Sequence, residues 1–122
     1  MRVAVSNIAW DRTEDEAAAA LFARLGIDAI DIAPGKYFAD PETVSEADVR
    51  AVGLWWSARG IEITGMQALL FGTSGLNLFG DDGSRRAMLS RLAAVCRIGG
   101  VLGATRLVFG SPKNRDRDGL GE

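Results

Sequence analysis

The chain contains no histidine. That removes the side chain most often used as a general base near neutral pH and the commonest transition-metal ligand, and it excludes any Ser-His-Asp or Cys-His arrangement. Cysteine is nearly absent as well: Cys96 stands alone, so there is neither an intrachain disulfide framework nor a CxxC pair, which fits a reducing, cytoplasmic setting. Cys96 lies inside a helical pattern with nothing nearby to activate its thiol, and is expected to be a small core residue. No apolar run approaches the roughly 18 residues of a membrane span, and Met1 to Ser6 lacks the apolar length of a signal peptide. Neither sign of charge dominates. Lys and Arg total 14 against 16 Asp and Glu, and a net charge of -2 argues against a nucleic-acid surface built on bulk positive charge. GxGxxG is missing after the first strand-like segment and GxxxxGK[ST] is missing throughout, so the dinucleotide and P-loop versions of an open α/β sheet are disfavoured.

What is present is a repeat of strand and helix signals. Gly26, Gly60 and Gly103 each end a helical pattern and launch an apolar, strand-like segment, at Ile27 to Ile32, Ile61 to Met66 and Thr105 to Phe109. Arg2 to Ser6 reads as the first strand. Between them, Thr13 with Glu16 resembles a capping box for a helix carrying Ala17, Ala20, Leu21 and Leu25 on one stripe. Ser45 with Asp48 caps a second helix, whose inner face is Val49, Val52 and Trp56. The third spans about Ser84 to Leu102 with Leu89, Leu92 and Cys96 on a stripe; Gly99 and Gly100 near its end imply close packing on a sheet or early fraying. At 122 residues and 48% hydrophobic, this is one domain's worth of chain with a sizeable core. The pattern βαβαβαβ implies a parallel sheet in the order 1-2-3-4, either as an open doubly wound sheet or as half of a (β/α)₈ barrel.

In both architectures chemistry collects where strands end. Such ends lead into Asn7 to Trp10, Ala33 to Lys36, Gln67 to Gly72 and Gly110 to Arg115. Asn7 and Trp10 are candidates for a pocket floor and wall, with a plug of the barrel end as the alternative role for Trp10. Gln67 carries an amide suited to a sugar hydroxyl. Lys113 and Arg115 pair a point cation with a planar guanidinium, which suits a substrate phosphate, with a solvated loop whose cations cover surface as the alternative. Asp31, at the end of the second strand, is the natural position for a carboxylate supporting the site, although alternation alone does not assign both Asp28 and Asp31. Lys36 and Tyr37 fall in a long loop and are expected to be surface-exposed, with closure over substrate as the alternative role. Trp55 and Trp56 read as packing residues, and Asp81-Asp82 as favourable charges at the start of the third helix.

Taken together, Val5-Ser6-Asn7-Ile8-Ala9-Trp10, Asp31-Ile32-Ala33-Pro34, Met66-Gln67-Ala68-Leu69-Leu70-Phe71-Gly72 and Val108-Phe109-Gly110-Ser111-Pro112-Lys113-Asn114-Arg115 resemble the sugar phosphate isomerase/epimerase branch of the xylose isomerase-like TIM barrels. The resemblance covers residues 1–122. It implies the N-terminal half of a (β/α)₈ barrel, about four parallel strands and three helices, from an enzyme that interconverts sugars or sugar phosphates through carboxylates and a divalent metal. In that superfamily the metal-binding Glu, Asp and His residues come mainly from later strands. The resemblance therefore implies a chain that binds no metal itself and is inactive alone, with Asn7, Trp10, Gln67, Lys113 and Arg115 left to bind substrate. Its expected partners are a small sugar or sugar phosphate, not nucleic acid or membrane, together with self-association through unpaired strand edges. Two alternatives remain: an endonuclease IV-like member of the same superfamily, which basic loops and histidine ligands would mark, and a self-contained small α/β binding domain without catalysis.

Overall fold

The computed structural model describes residues 1–120. Four parallel strands, β1 (Ala4–Ser6), β2 (Ala29–Ile32), β3 (Glu62–Gln67) and β4 (Arg106–Val108), lie in the order β1-β2-β3-β4. They alternate with helices α1 (Asp15–Leu25), α2 (Glu46–Ser57) and α3 (Asp82–Leu102). This is the arrangement of four consecutive strands of a (β/α)₈ barrel, left open at β1 and β4. Among the described residues no helix is long and apolar enough to cross a membrane.

Local chemistry explains where the helices stop. Gly26 and Gly103 cap α1 and α3 in the left-handed region at φ 68° and 74°, a conformation that glycine adopts without the Cβ penalty. Ser45 Oγ accepts the Asp48 amide at the start of α2, and Asp81 accepts the Ser84 amide at the start of α3. The first helix begins differently from the sequence expectation. The capping box is Asp11 with Glu14, on a short 3₁₀ turn that precedes α1, because the Asp11 carboxylate reaches the Thr13 amide and hydroxyl before Thr13 can act as a cap itself.

Two cross-strand rows, Val5-Ile30-Ile63 and Ile32-Met66-Leu107, face the helices. Val49 and Trp56 of α2 and Val95 and Ile98 of α3 are fully buried in the core these rows help to form. The expected inner face of α2 is the observed one, but the stripes of α1 and α3 are corrected. α1 buries Ala19 and Phe22 and leaves Leu21 and Leu25 in solvent; α3 buries Met88, Val95, Ile98 and Gly99 and exposes Leu89 and Cys96. Cys96 is thus a surface residue. The rotation of α3 follows from Gly99: a Cβ there would stand 3.1 Å from Met66 Cε, so the glycine lets the helix backbone approach the sheet and selects that face.

β3 carries a bulge. Ile30 pairs with Ile63 but Asp31 pairs with Gly65, which leaves Thr64 unopposed. The extra residue changes the parity of the strand, so Ile63 and Met66, three positions apart, both point at the helices. It also turns a second row, Ser6-Asp31-Gly65-Arg106, to the opposite face.

Candidate functional site

The turns that leave β1, β2 and β3 hold one another in place. Asn7 is 2% exposed and its Oδ1 accepts the Ala33 amide at 2.8 Å, tying the turn after β1 to the end of β2. Lys36 returns the tie: its ammonium donates to the carbonyl oxygens of Asn7, at 2.7 Å, and of Trp10. Gly35 packs against the main chain of Phe71 in the turn after β3. Lys36 and Tyr37, expected to be exposed, are instead half-buried. The reason is that the carbonyls of a tight turn after β1 need donors, and the long loop after β2 passes close enough to supply one.

Trp10 faces the helices. Its ring meets Phe22 and Trp56 edge-on at centroid distances of 5.4 and 6.2 Å, and its Nε1 donates to Asp15 Oδ1 at 2.7 Å. Tyr37 donates its hydroxyl to the other Asp15 oxygen at 2.7 Å and accepts the Trp56 indole N–H at 3.1 Å. Burial, and next the bond to Asp15, push the Tyr37 phenol pKa up from its ordinary value. The unfolded chain therefore releases this proton first. Stability contributed by Tyr37 is complete below about pH 10, where an unfolded tyrosine titrates, and is lost as pH rises toward the folded value. Urea unfolding midpoints should fall more gently between about pH 9 and 11 in Tyr37→Phe than in the parent chain. Identical alkaline slopes would assign that loss to other groups.

The row Ser6-Asp31-Gly65-Arg106 gives the open face of the sheet a polar band, flanked by the exposed Val108 beside Gln67, and it carries what the strands alone bring together. Asp31 Oδ1 accepts Thr64 Oγ1 at 3.1 Å; Arg106 donates to the same hydroxyl at 3.1 Å and stands 3.8 Å from Asp31 Oδ1. Gly65 makes this possible, since a Cβ there would lie 2.7 Å from Asp31 Oδ1. Toward the strand ends, Gln67 Nε2 donates to Ser6 Oγ. The following residue, Ala68, has a left-handed backbone at φ 48°, which is uncommon for a side-chain-bearing residue and sharply redirects the chain after Gln67. At the other end of the strands Arg2 bonds Asp28 at 3.0 Å and Glu62 at 2.8 Å, which answers the question left by alternation: Asp28 belongs to that ion pair and Asp31 to the open face.

Beyond β4, a 3₁₀ turn at Pro112–Arg115 packs against the loop after β3. Lys113 Nζ donates to the Thr73 carbonyl at 3.0 Å, while the exposed Arg115 turns back on the Ser111 carbonyl at 3.4 Å. Between them Asn114 is 2% exposed, with its Nδ2 on the Leu76 carbonyl at 2.6 Å and its own carbonyl accepting the Leu78 amide at 2.8 Å. Its Oδ1 is buried without a partner among the described residues. An unsatisfied buried acceptor of this kind costs about 1–3 kcal/mol.

Four of the five candidate residues thus follow C-terminal strand ends, and the fifth, Gln67, is the last residue of β3. Gln67 bonds Ser6, the residue before Asn7; the Asn7 and Trp10 carbonyls share Lys36; and Lys113 and Arg115 form a separate group in the turn after β4, from which Lys113 reaches the loop after β3. Arg106, Thr64 and Asn114 were not singled out from sequence. Arg106 had a signal, a cation in a strand otherwise apolar, but its partner depended on register. Three His, Cys, Asp or Glu side chains do not converge anywhere among the described residues to hold a metal ion. Asp31, the acid of the open face, is committed to Thr64 and Arg106, so these residues do not fit the divalent metal that the resemblance implies. No family model matches the chain, and no curated protein is significantly similar to it.

Proposed function

We propose that the chain is the substrate-positioning half of a sugar or sugar phosphate isomerase/epimerase-like barrel, able to bind such a ligand weakly and unable to turn it over alone. The observation that carries this reading is the polar row across the open face. Barrel interiors are usually filled with branched apolar side chains, whereas here hydroxyl, amide, carboxylate and guanidinium groups occupy the row from Ser6 to Arg106 and the Ser6–Gln67 pair above it. Those groups match a polyol. Lys113 and Arg115 supply positive charge at the same ends of the strands, which suits a phosphorylated one.

Turnover needs more. Moving a proton requires a base, and holding the resulting enediolate or alkoxide requires an electrophile; the open-face row offers one carboxylate, already bonded, and no convergent acid cluster. Glucose 6-phosphate, glucose and inorganic phosphate titrated into the ¹⁵N-labelled chain test the reading. The sugar phosphate should perturb Ser6, Asn7 and Gln67 at millimolar concentration, with Gln67→Ala weakening it about tenfold, the worth of one hydrogen bond near 1.4 kcal/mol. Adding Mg²⁺ or Mn²⁺ should produce no isomerisation. Metal-stimulated turnover lost in Asp31→Asn would overturn the second half of the proposal; silence of the Ser6–Gln67 region under saturating sugar phosphate would overturn the first.

A further inference from the structure

Each outer strand of the sheet has one neighbour and one free edge: among the described residues β1 pairs only with β2, and β4 only with β3. Neither edge carries lysine, proline or a bulge, the usual guards against pairing with another chain. Arg106 is the single charged residue on the two strands, and it is turned to Thr64 and Asp31 on the open face. The edge of β4 also has donors to give. The Thr105 amide bonds the Thr64 carbonyl inside the sheet, so alternation sends the Arg106 and Val108 amides outward.

Apolar side chains flank both edges. Glu16 of α1 reaches Arg59 just past α2, and Leu21 and Leu25 lie about 140° and 180° further round that helix, on the side of β1. On α3, Leu102 packs on Gly53 of α2, whereas Leu89 and Cys96 lie about 140° and 120° away, on the side of β4. With Val3 at the entry to β1 and Leu107 and Val108 in β4, the five leucines and valines of these flanks other than Leu107 and Leu107 itself are 36–65% exposed. The total area agrees. The chain exposes 7213 Å². A folded monomer of 13.0 kDa typically exposes about 6,300 Å², which leaves an excess of about 900 Å². Two copies that each bury this excess share about 1,800 Å², within the roughly 1,200–2,000 Å² of a stable interface.

We propose that two copies of the chain close into a single eight-stranded barrel, β4 of each pairing in parallel with β1 of the other. Four parallel strands in sequential order are half the number at which side chains just fill a barrel interior. A twofold axis along the barrel uses both free edges of both copies and leaves none open. Pairing β4 on β4, or β1 on β1, would leave an edge at each end of the assembly, and growth would continue. A net charge of -2 on each copy opposes the approach only weakly. Closure also completes the candidate site. Within one copy Lys113 and Arg115, after β4, stand at the opposite edge of the sheet from Asn7 and Trp10, after β1. In the dimer those edges are neighbours, so the cations of one copy adjoin the partner's Asn7 at each of two equivalent seams. The dimer rests on the fold; only this composite site rests on the sugar phosphate reading above.

Sedimentation equilibrium of the chain tests this and should give twice the 13.0 kDa chain mass, with no larger species as concentration rises. Val108→Pro removes one outward donor from each seam, at an edge position where proline is tolerated. It should raise the concentration of half-dimerisation about tenfold or more while the helical circular dichroism is kept. Should that variant fail to fold, Val3→Lys, which charges the other edge at an exposed position, should give the same loss. A short bismaleimide should not join two Cys96 thiols, because the twofold sets the two α3 helices on opposite sides of the barrel. A monomer at millimolar concentration, an assembly that keeps growing, unchanged dimerisation in the folded edge variants, or efficient joining of Cys96 would each overturn the proposal. The outcomes also separate the two readings. A monomer in which glucose 6-phosphate shifts Ser6 and Gln67 would sink the dimer and spare the open face; a dimer silent to glucose 6-phosphate would do the reverse.

Discussion

Trp56→Ala is expected to lower the unfolding free energy by about 3–5 kcal/mol, a large fraction of the roughly 5–15 kcal/mol of a typical domain. Trp56 is fully buried at the joint between α2, α1 and the turn after β1. Its ring lies edge-on to Trp55 at 4.8 Å and to Trp10 at 6.2 Å, and its N–H is the donor that Tyr37 accepts. Tyr37 then bonds Asp15, and Asp15 holds the Trp10 indole, so the three aromatics and one carboxylate form a single chain of hydrogen bonds. Truncation empties the joint and breaks that chain at its buried end. Trp56→Phe should cost less, about 1–2 kcal/mol, because the ring volume is mostly kept and only the donor is lost. Urea unfolding followed by circular dichroism measures both. A loss below about 1 kcal/mol for Trp56→Ala would mean that α1 and α2 collapse into the space and that the joint is not rigid.

Gly35→Ala should be the most disruptive single methyl in the chain. A Cβ at Gly35 would lie 2.4 Å from the Phe71 carbonyl oxygen and 3.3 Å from its carbon, and the obstacle is main chain, which cannot rotate away. Overpacking of this kind costs about 1–3 kcal/mol, and the upper end is expected here. The effect extends to the strand ends, because Lys36 follows directly and its two bonds to the turn after β1 depend on that approach. Gly100→Ala is the natural control. Nothing lies within 4 Å of a Cβ at Gly100, in the interior of α3, so the same methyl should stabilise by up to about 1 kcal/mol. Equal unfolding midpoints for the two variants would show that the loops after β2 and β3 move apart freely.

Strand number, order and direction were legible because each rests on local chemistry repeated along the chain. Glycines that accept a left-handed backbone end α1 and α3 and release the chain into β2 and β4, and crossovers of helical length make the strands parallel. The inner face of α2 was legible too, since Val49, Val52 and Trp56 offered a single apolar stripe. α1 and α3 did not. Each carries apolar residues around much of its circumference, so periodicity permits more than one buried face, and Leu89 and Cys96 lost theirs to Met88 and Val95. The candidate residues at the strand ends were visible as residue types, but their relations were not: that Lys36 serves the turn after β1 depends on contacts 26 and 29 positions apart, and that Trp10 turns to the helices depends on where Phe22 and Trp56 fall.

By itself, then, the sequence determined an α/β chain with four parallel strands, three helices and polar turns gathered at one end, through capping, turn chemistry and hydrophobic spacing that act within a few residues. Only the tertiary structure decided which side chains meet across the open face. Simple alternation through Ile61 to Gln67 would send Ile63 and Met66 to opposite sides, and burying both against helices forces Thr64 out of the ladder. That one-residue slip is what places Gly65 beside Asp31 and opposite Arg106, and opens the space in which the carboxylate, the Thr64 hydroxyl and the guanidinium meet. The deciding energy is nonlocal. Burying a large apolar side chain on the helix side is worth about 1.5–3 kcal/mol, enough to offset the disturbed pairing of one residue, and no local preference records that balance.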